Sequence, residues 1–291
     1  MGRVGIYGEK DLTYVLAKAT HHRHKLNRPA PDRGSEGSNE GSNEPIPFSA
    51  KFAPIVAMVG VPLPKDEGRF GGGIDTRIGR VNFDAHLIPS LNSIAGHPGW
   101  EKAFPDITPG AATLYTTADA VGGPFTAMAI YVCREHESDL NPSAVILQPG
   151  LRRNAFKTLH FGRPNHPFEN RAGYVATPAS RASNIHRGLF IPDESGRPKQ
   201  LTISARIPED TDPYITVTLD FKPDTNPTPL TNAFLPARAM LYMAALGAEM
   251  LPAIGKRAKD FSQLALAALG TGALHLLPWE KRPGVDKPNK G

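Results

Sequence analysis

The chain has a single cysteine, Cys133, among its 291 residues. That excludes an internal disulfide and any zinc site built on cysteines, because each needs at least two sulfur ligands. A reducing compartment is the simplest setting. Residues 1 to 25 lack an uninterrupted apolar core, since Lys10, Asp11 and Lys18 break it, so no secretory signal is read there. No Asn-x-Ser/Thr acceptor is present either. These absences together lead to the expectation of a cytoplasmic protein.

Motifs that would name a reaction are also missing. The glycine-rich stretch from Gly68 to Gly79 fits neither G-x-x-x-x-G-K-[ST] nor G-x-G-x-x-G, and it reads as a flexible loop or a bulged hairpin. The only text resembling a nucleophile elbow lies in a Gly-Ser-Asn-Glu repeat, where nothing rigid could hold a strained turn. Cys133 ends an apolar run and reads as a buried, inert thiol. Arg238 and Tyr242 stand at i and i+4, the spacing of a cation beside a phenolate, but nothing around them supports haem, and they read as a helix-surface contact. The cofactor, if there is one, is unknown from sequence.

The chain is rich in proline (29) and glycine (28), each about a tenth of all residues, well above the usual roughly 5% and 7%. Such frequent punctuation favours short strands. Candidates run from Ile55 to Val61, Val81 to Ile88, Thr113 to Thr117, Phe125 to Cys133, Ala144 to Gln148, Lys157 to Phe161, Gly173 to Ala176, Gly188 to Ile191, Leu201 to Ile207 and Tyr214 to Phe221. The last two alternate apolar and polar residues with the period of a half-buried strand, and Pro208 to Pro213 would connect them as a hairpin. The fold expected is therefore mainly β, a sandwich or barrel, α+β overall, with a C-terminal helical hairpin.

Four segments are expected. Residues 1–25 would hold a short strand, Val4 to Tyr7, and a helix from Asp11 to about His24, because Leu12, Val15, Leu16 and Ala19 fall at i, i+3, i+4, i+7. The basic run from His21 to Lys25 would then close that helix against its C-terminal dipole. Residues 26–49 form a Gly/Ser/Asn/Glu linker expected to be disordered. Residues 50–228 are the β-rich domain. Residues 229–291 are an Ala/Leu-rich helical segment with a basic tail, and Phe261 to Trp279 carries no formal charge. A membrane span is not expected there, because Gln263, His275, Gly270 and Gly272 interrupt the stretch. Packing on the sheet fits better, with joining copies of the chain through residues 230–277, or lying on a membrane surface through the basic flanks Lys256 to Lys259 and Lys281-Arg282, as alternatives.

Charge is unevenly spread. Between Arg152 and Arg187 lie Arg152, Arg153, Lys157, Arg163, Arg171, Arg181 and Arg187 against one acid, Glu169. That local excess of six (seven minus one) exceeds the net +5 of the whole protein. Arginine presents a planar fork that pairs two oxygens of a phosphate or carboxylate at once. Arg152, Arg153, Arg163, Asn165, Arg171 and Arg187 are thus the candidate ligand-binding residues, with Phe161 or Phe168 able to stack a base. His160, His166 and His186 in the same segment are candidate acid or base residues, with Glu169 as orienter. His160, His166 and Glu169 have no established metal spacing, and no metal is assigned.

The expected function is binding of an anionic ligand, a phosphorylated or carboxylated small molecule or single-stranded nucleic acid. One alternative is an enzyme that uses a histidine acid or base with arginine clamps on a small anionic or carbonyl substrate. That version requires the histidines, arginines and Glu169 to converge in one pocket. A second alternative is a structural or assembly protein joined through its helical tail.

Overall fold

The computed structural model describes residues 11–23, 50–52, 55–66, 73–83, 87–118, 128–149, 159–171, 185–208 and 210–223. The expected strands at 4–7 and 173–176, the linker at 26–49 and the C-terminal helices at 229–291 lie outside them, as do Arg152, Arg153, Lys157 and Arg181.

The dominant element is one antiparallel sheet in which β1 (Thr13–Arg23) is central. On one side it pairs with β3 (Ile55–Pro62), followed by β6 (Ala111–Thr116), β7 (Met128–Arg134), β8 (Ala144–Pro149) and β9 (His160–Gly162). On the other side come β13 (Ile215–Pro223), β12 (Pro198–Arg206), β11 (Ile185–Pro192) and β10 (Phe168–Arg171). The three-residue β2 (Ala50–Phe52) adds to the end of β1. The right-handed twist of such a sheet curls it, and β9 returns against β10 and β11. The result is a nearly closed ten-strand barrel.

Burial follows the two-residue period of strands. Inward positions include Val15, Ala17 and Ala19 of β1, Ile130 and Val132 of β7, Phe190 of β11, Leu201 of β12 and Leu219 of β13. Small residues on β1 sit opposite large ones elsewhere, which lets the interior fill with side chains. Each fully buried Ile, Leu or Phe contributes about 1.5–3 kcal/mol relative to exposure.

The outer face of β3, β6, β7 and β8 is also covered. Two short helices, α1 (Leu91–Ala95) and α2 (Pro98–Ala103), and a hairpin of β4 (Gly73–Thr76) with β5 (Gly79–Asn82) lie on it. Ile78, Val81, Ile94, Trp100 and Phe104 pack there against Val59, Val61, Leu114, Tyr131 and Ile146. The Tyr131 hydroxyl is satisfied within this layer, donating to Gln148 Oε1 at 2.8 Å and accepting from the Ile88 backbone N–H at 2.9 Å. Cys133 is fully buried in the same layer, and desolvation pushes its thiol up to about 12. No helix among the described residues is long and apolar enough to cross a membrane.

One expectation is overturned. The segment read as a helix from Asp11 to His24 is strand β1 instead. Val15, Ala17 and Ala19 face inward, while Leu16 points out and still meets the outer apolar layer. An apolar residue on each face blurs the period-two pattern into one that resembles helical spacing. The Gly68 to Gly79 stretch, in contrast, ends in the β4–β5 hairpin anticipated as one of its two readings. The strand anticipated from Val81 to Ile88 is shorter, because β5 closes at Asn82 and Ser90 caps α1 soon after.

Candidate functional site

The residues of the basic segment divide between the two faces of the barrel wall. Glu169 and Arg187 occupy paired outward positions on β10 and β11, both exposed, and Arg206 of the next strand approaches Glu169 at 3.8 Å. Arg163 and His166 are exposed on the turn between β9 and β10. The Arg163 guanidinium lies 5.8 Å from the Phe104 ring centre, a cation–π contact with the outer layer. Asn165 takes a left-handed backbone (φ 61°), which Asn tolerates better than most residues, and its N–H donates to the Phe190 carbonyl at 2.8 Å. Arg171 ends β10 opposite Ile185. Phe161 faces the outer layer, with its ring centre 5.5 Å from His97 and 6.4 Å from Phe104.

His160 and His186 lie inside. They come from β9 and β11, are 4% and 5% exposed, and hold their ring centres 5.5 Å apart. Desolvation lowers the pKa of His160 to about 3, helped by the neighbouring His186, and lowers that of His186 to about 4. Both imidazoles are therefore neutral at neutral pH. Asn170 stands directly across from His186 in the β10–β11 register, and its Nδ2 is buried without a hydrogen bond. Beside them the Phe168 ring fills the space that a Cβ on Gly162 or Gly188 would need. Glycine at both positions is what lets β9, β10 and β11 meet around that ring.

Of the residues named for the enzyme reading, His160 and His186 lie inside the wall, whereas His166, Arg163, Arg187 and Glu169 are exposed, so these two groups do not share one pocket. Neighbours on a strand point to opposite faces, so Arg187 beside His186, or Glu169 beside Asn170, cannot share one cavity.

A different cluster occupies one mouth of the barrel. Arg134 is the last residue of β7 and shares the inward face of Ile130 and Val132. Its Nε is buried without a hydrogen bond, and no salt bridge reaches it among the described residues. Its Nη2 stands 3.2 Å from where a Cβ on Gly196 would be, which places the guanidinium against the turn between β11 and β12. Gly196 has φ 74°, a left-handed conformation natural to glycine.

That turn is held by Asp193. Its Oδ1 accepts from the Ser195 N–H at 2.9 Å, the Ser195 hydroxyl at 2.7 Å and the Arg197 N–H at 2.9 Å. Its Oδ2 accepts from Arg197 Nε at 3.3 Å, and that nitrogen also donates to Ser195 Oγ at 2.7 Å. Partial burial opposes the charge of Asp193, but these hydrogen bonds and Arg197 outweigh it and hold the carboxyl below its usual pKa. The acid is thus committed to its own turn.

Tyr115 faces the same space from β6. Burial raises its pKa, opposed by the Thr13 hydroxyl, Arg134 and Arg197. Thr13 Oγ1 is buried beside it in a geometry too poor for a full hydrogen bond. Among the described residues the mouth therefore combines two guanidiniums, one carboxylate engaged by donors of its own turn, and two hydroxyls. Arg134, Arg197, Tyr115 and Thr13 were not singled out by sequence, because each lies outside the basic segment and they meet only through strand pairing.

No protein-family model matches the chain, and neither a curated protein nor a solved structure does.

Proposed function

We propose that the protein binds a small anionic ligand, with a phosphate or carboxylate group held at the barrel mouth by Arg134 and Arg197. The observation that carries this reading is the Arg134 guanidinium. It is partly buried, its Nε meets no acceptor among the described residues, and the nearby Asp193 carboxylate is engaged by its own turn. A buried guanidinium N–H without an acceptor leaves a desolvation penalty that an oxyanion would relieve. The fork of Arg134 would pair two oxygens, Arg197 would neutralise remaining charge, and the Tyr115 hydroxyl would donate from the barrel side. Tyr115 is suited to donate because a phenol is protonated at neutral pH, and burial raises its pKa further.

The test is calorimetric titration of the full chain with inorganic phosphate, pyrophosphate and succinate. Saturable binding to the wild type, weakened roughly tenfold or more in Arg134→Gln, is expected, since a charged hydrogen bond contributes about 1.5–3 kcal/mol. Equal affinity in the variant would remove Arg134 from the site. Parallel loss in Arg152→Gln and Arg153→Gln, with Arg134→Gln unaffected, would return the site to the basic segment. A single-stranded oligonucleotide bound with steeply salt-dependent affinity would replace the small-molecule version by a nucleic-acid one.

A further inference from the structure

We propose that the ligand of the barrel mouth carries its charge on a tetrahedral, three-oxygen group, a terminal phosphoryl, and that Thr13 and Tyr115 select this group against a carboxylate. This rests on the anion reading above and names the ligand class that the mouth admits.

The donors reach the mouth from separate sectors of its rim. In the order of ten strands, β7 and β12 lie opposite each other, five steps apart through β8, β9, β10 and β11 and five through β6, β3, β1 and β13. Arg134 ends β7, and Arg197 directly precedes β12. Tyr115 of β6 and Thr13 of β1 stand on the arc between them. Thr13 pairs with Gly60 of β3, and Gly60 pairs with Tyr115, so the three form one row across the wall. A Cβ on Gly60 would collide with the Thr13 hydroxyl and lie 2.7 Å from the Tyr115 ring. The two hydroxyl-bearing side chains therefore meet over a bare strand. Arg134 and Arg197 both act on the Tyr115 phenol, which puts guanidiniums and hydroxyls in one cluster.

Two buried atoms of this cluster lack a hydrogen bond among the described residues, Arg134 Nε and Thr13 Oγ1. Their strands are three steps apart, β7 to β6 to β3 to β1, so the atoms approach from different sides. A carboxylate accepts hydrogen bonds near its own plane, and with both oxygens on the Arg134 fork that plane is the guanidinium's. It would leave the Thr13 hydroxyl buried and unpaired. A phosphoryl group has three terminal oxygens, two for the fork and a third outside its plane for Thr13 or Tyr115. Its charge, about −1.5 to −2 near neutral pH, faces two guanidiniums. The Asp193 carboxylate is engaged by donors of its own turn.

The experiment is calorimetric titration of the full chain with phenyl phosphate, benzenesulfonate and benzoate, which share one ring. Benzenesulfonate and benzoate carry the same single charge and differ in having three or two terminal oxygens, so their ratio separates shape from charge. Phenyl phosphate and benzenesulfonate should each bind roughly tenfold or more tighter than benzoate, the scale set by one buried hydroxyl left unpaired. Thr13→Val and Tyr115→Phe each remove a hydroxyl with little change of volume. Each should lower the benzenesulfonate preference roughly threefold or more and leave benzoate affinity unchanged. Benzoate bound as tightly as benzenesulfonate would overturn the three-oxygen selection and leave the anion reading standing. Binding of none of the three would overturn both. A preference that survives both substitutions also overturns the assignment, and should either variant fail to fold, the wild-type ratio decides alone.

Discussion

The two halves of the barrel wall are built from the same antiparallel pairing and solve burial differently. On β3, β6, β7 and β8 both faces are covered, one by the barrel interior and the other by α1, α2 and the β4–β5 hairpin. On β12 and β13 the outer face carries Thr202, Ser204, Thr216, Thr218 and Asp220, all partly exposed. The covered strands read as continuous apolar runs such as Ala-Val-Ile-Leu, and the open strands alternate. Sheet pairing alone therefore does not dictate the sequence pattern; what lies over each face does.

The largest expected effect on this comparison is acid. His160 and His186 are neutral in the folded state and have an ordinary pKa near 6.5 when unfolded. Above that pH neither state binds the protons, and full stability is present. As pH falls below 6.5 the unfolded chain takes up protons that the folded barrel refuses, so stability falls until the folded values of about 3 and about 4 are reached. Each histidine can remove up to about 1.4 kcal/mol per pH unit in that window. Urea denaturation from pH 7 to pH 4.5 should show this slope, and the double variant His160→Gln/His186→Gln should flatten it. A slope unchanged in the double variant would show that the closure is not what fails in acid.

The next effect separates the halves. Ile146→Ala removes a fully buried side chain from the doubly covered wall and should destabilise by about 2–5 kcal/mol. Gly188→Val places a branched side chain against the Phe168 ring at the closure and should cost about 1–3 kcal/mol by overpacking. Both are read as shifts in the denaturation midpoint. Smallest of all, Thr216→Ala on the open face of β13 should stay within about 0.5 kcal/mol. If Thr216→Ala cost as much as Ile146→Ala, the open half would have a covering layer of its own.

Much of the wall was legible in sequence, for reasons that differ by half. Leu201 to Ile207 and Tyr214 to Phe221 were readable through alternation, and Ile55 to Val61 and Ala144 to Gln148 through short apolar runs bounded by turn residues. β1 was misread because Leu16 is apolar on an outward face that another layer covers. His160 and His186 both stood in the segment singled out for its charge, but their meeting inside the wall was not legible there. That their arginine neighbours would face away was not, because it depends on strand phase. The mouth cluster left no local signal: Thr13, Tyr115, Arg134 and Arg197 span most of the described residues.

By itself the sequence determined a strand-rich chain with no internal disulfide, since turn residues and short apolar runs act locally and one cysteine has no partner in the chain. Tertiary structure alone decided which polar groups face one another. Whether β9 meets β11, and whether Arg134 meets the turn at Asp193, depends on how far the sheet curls before it closes. That curl is set by the twist of all ten strands together, and no stretch of sequence encodes it.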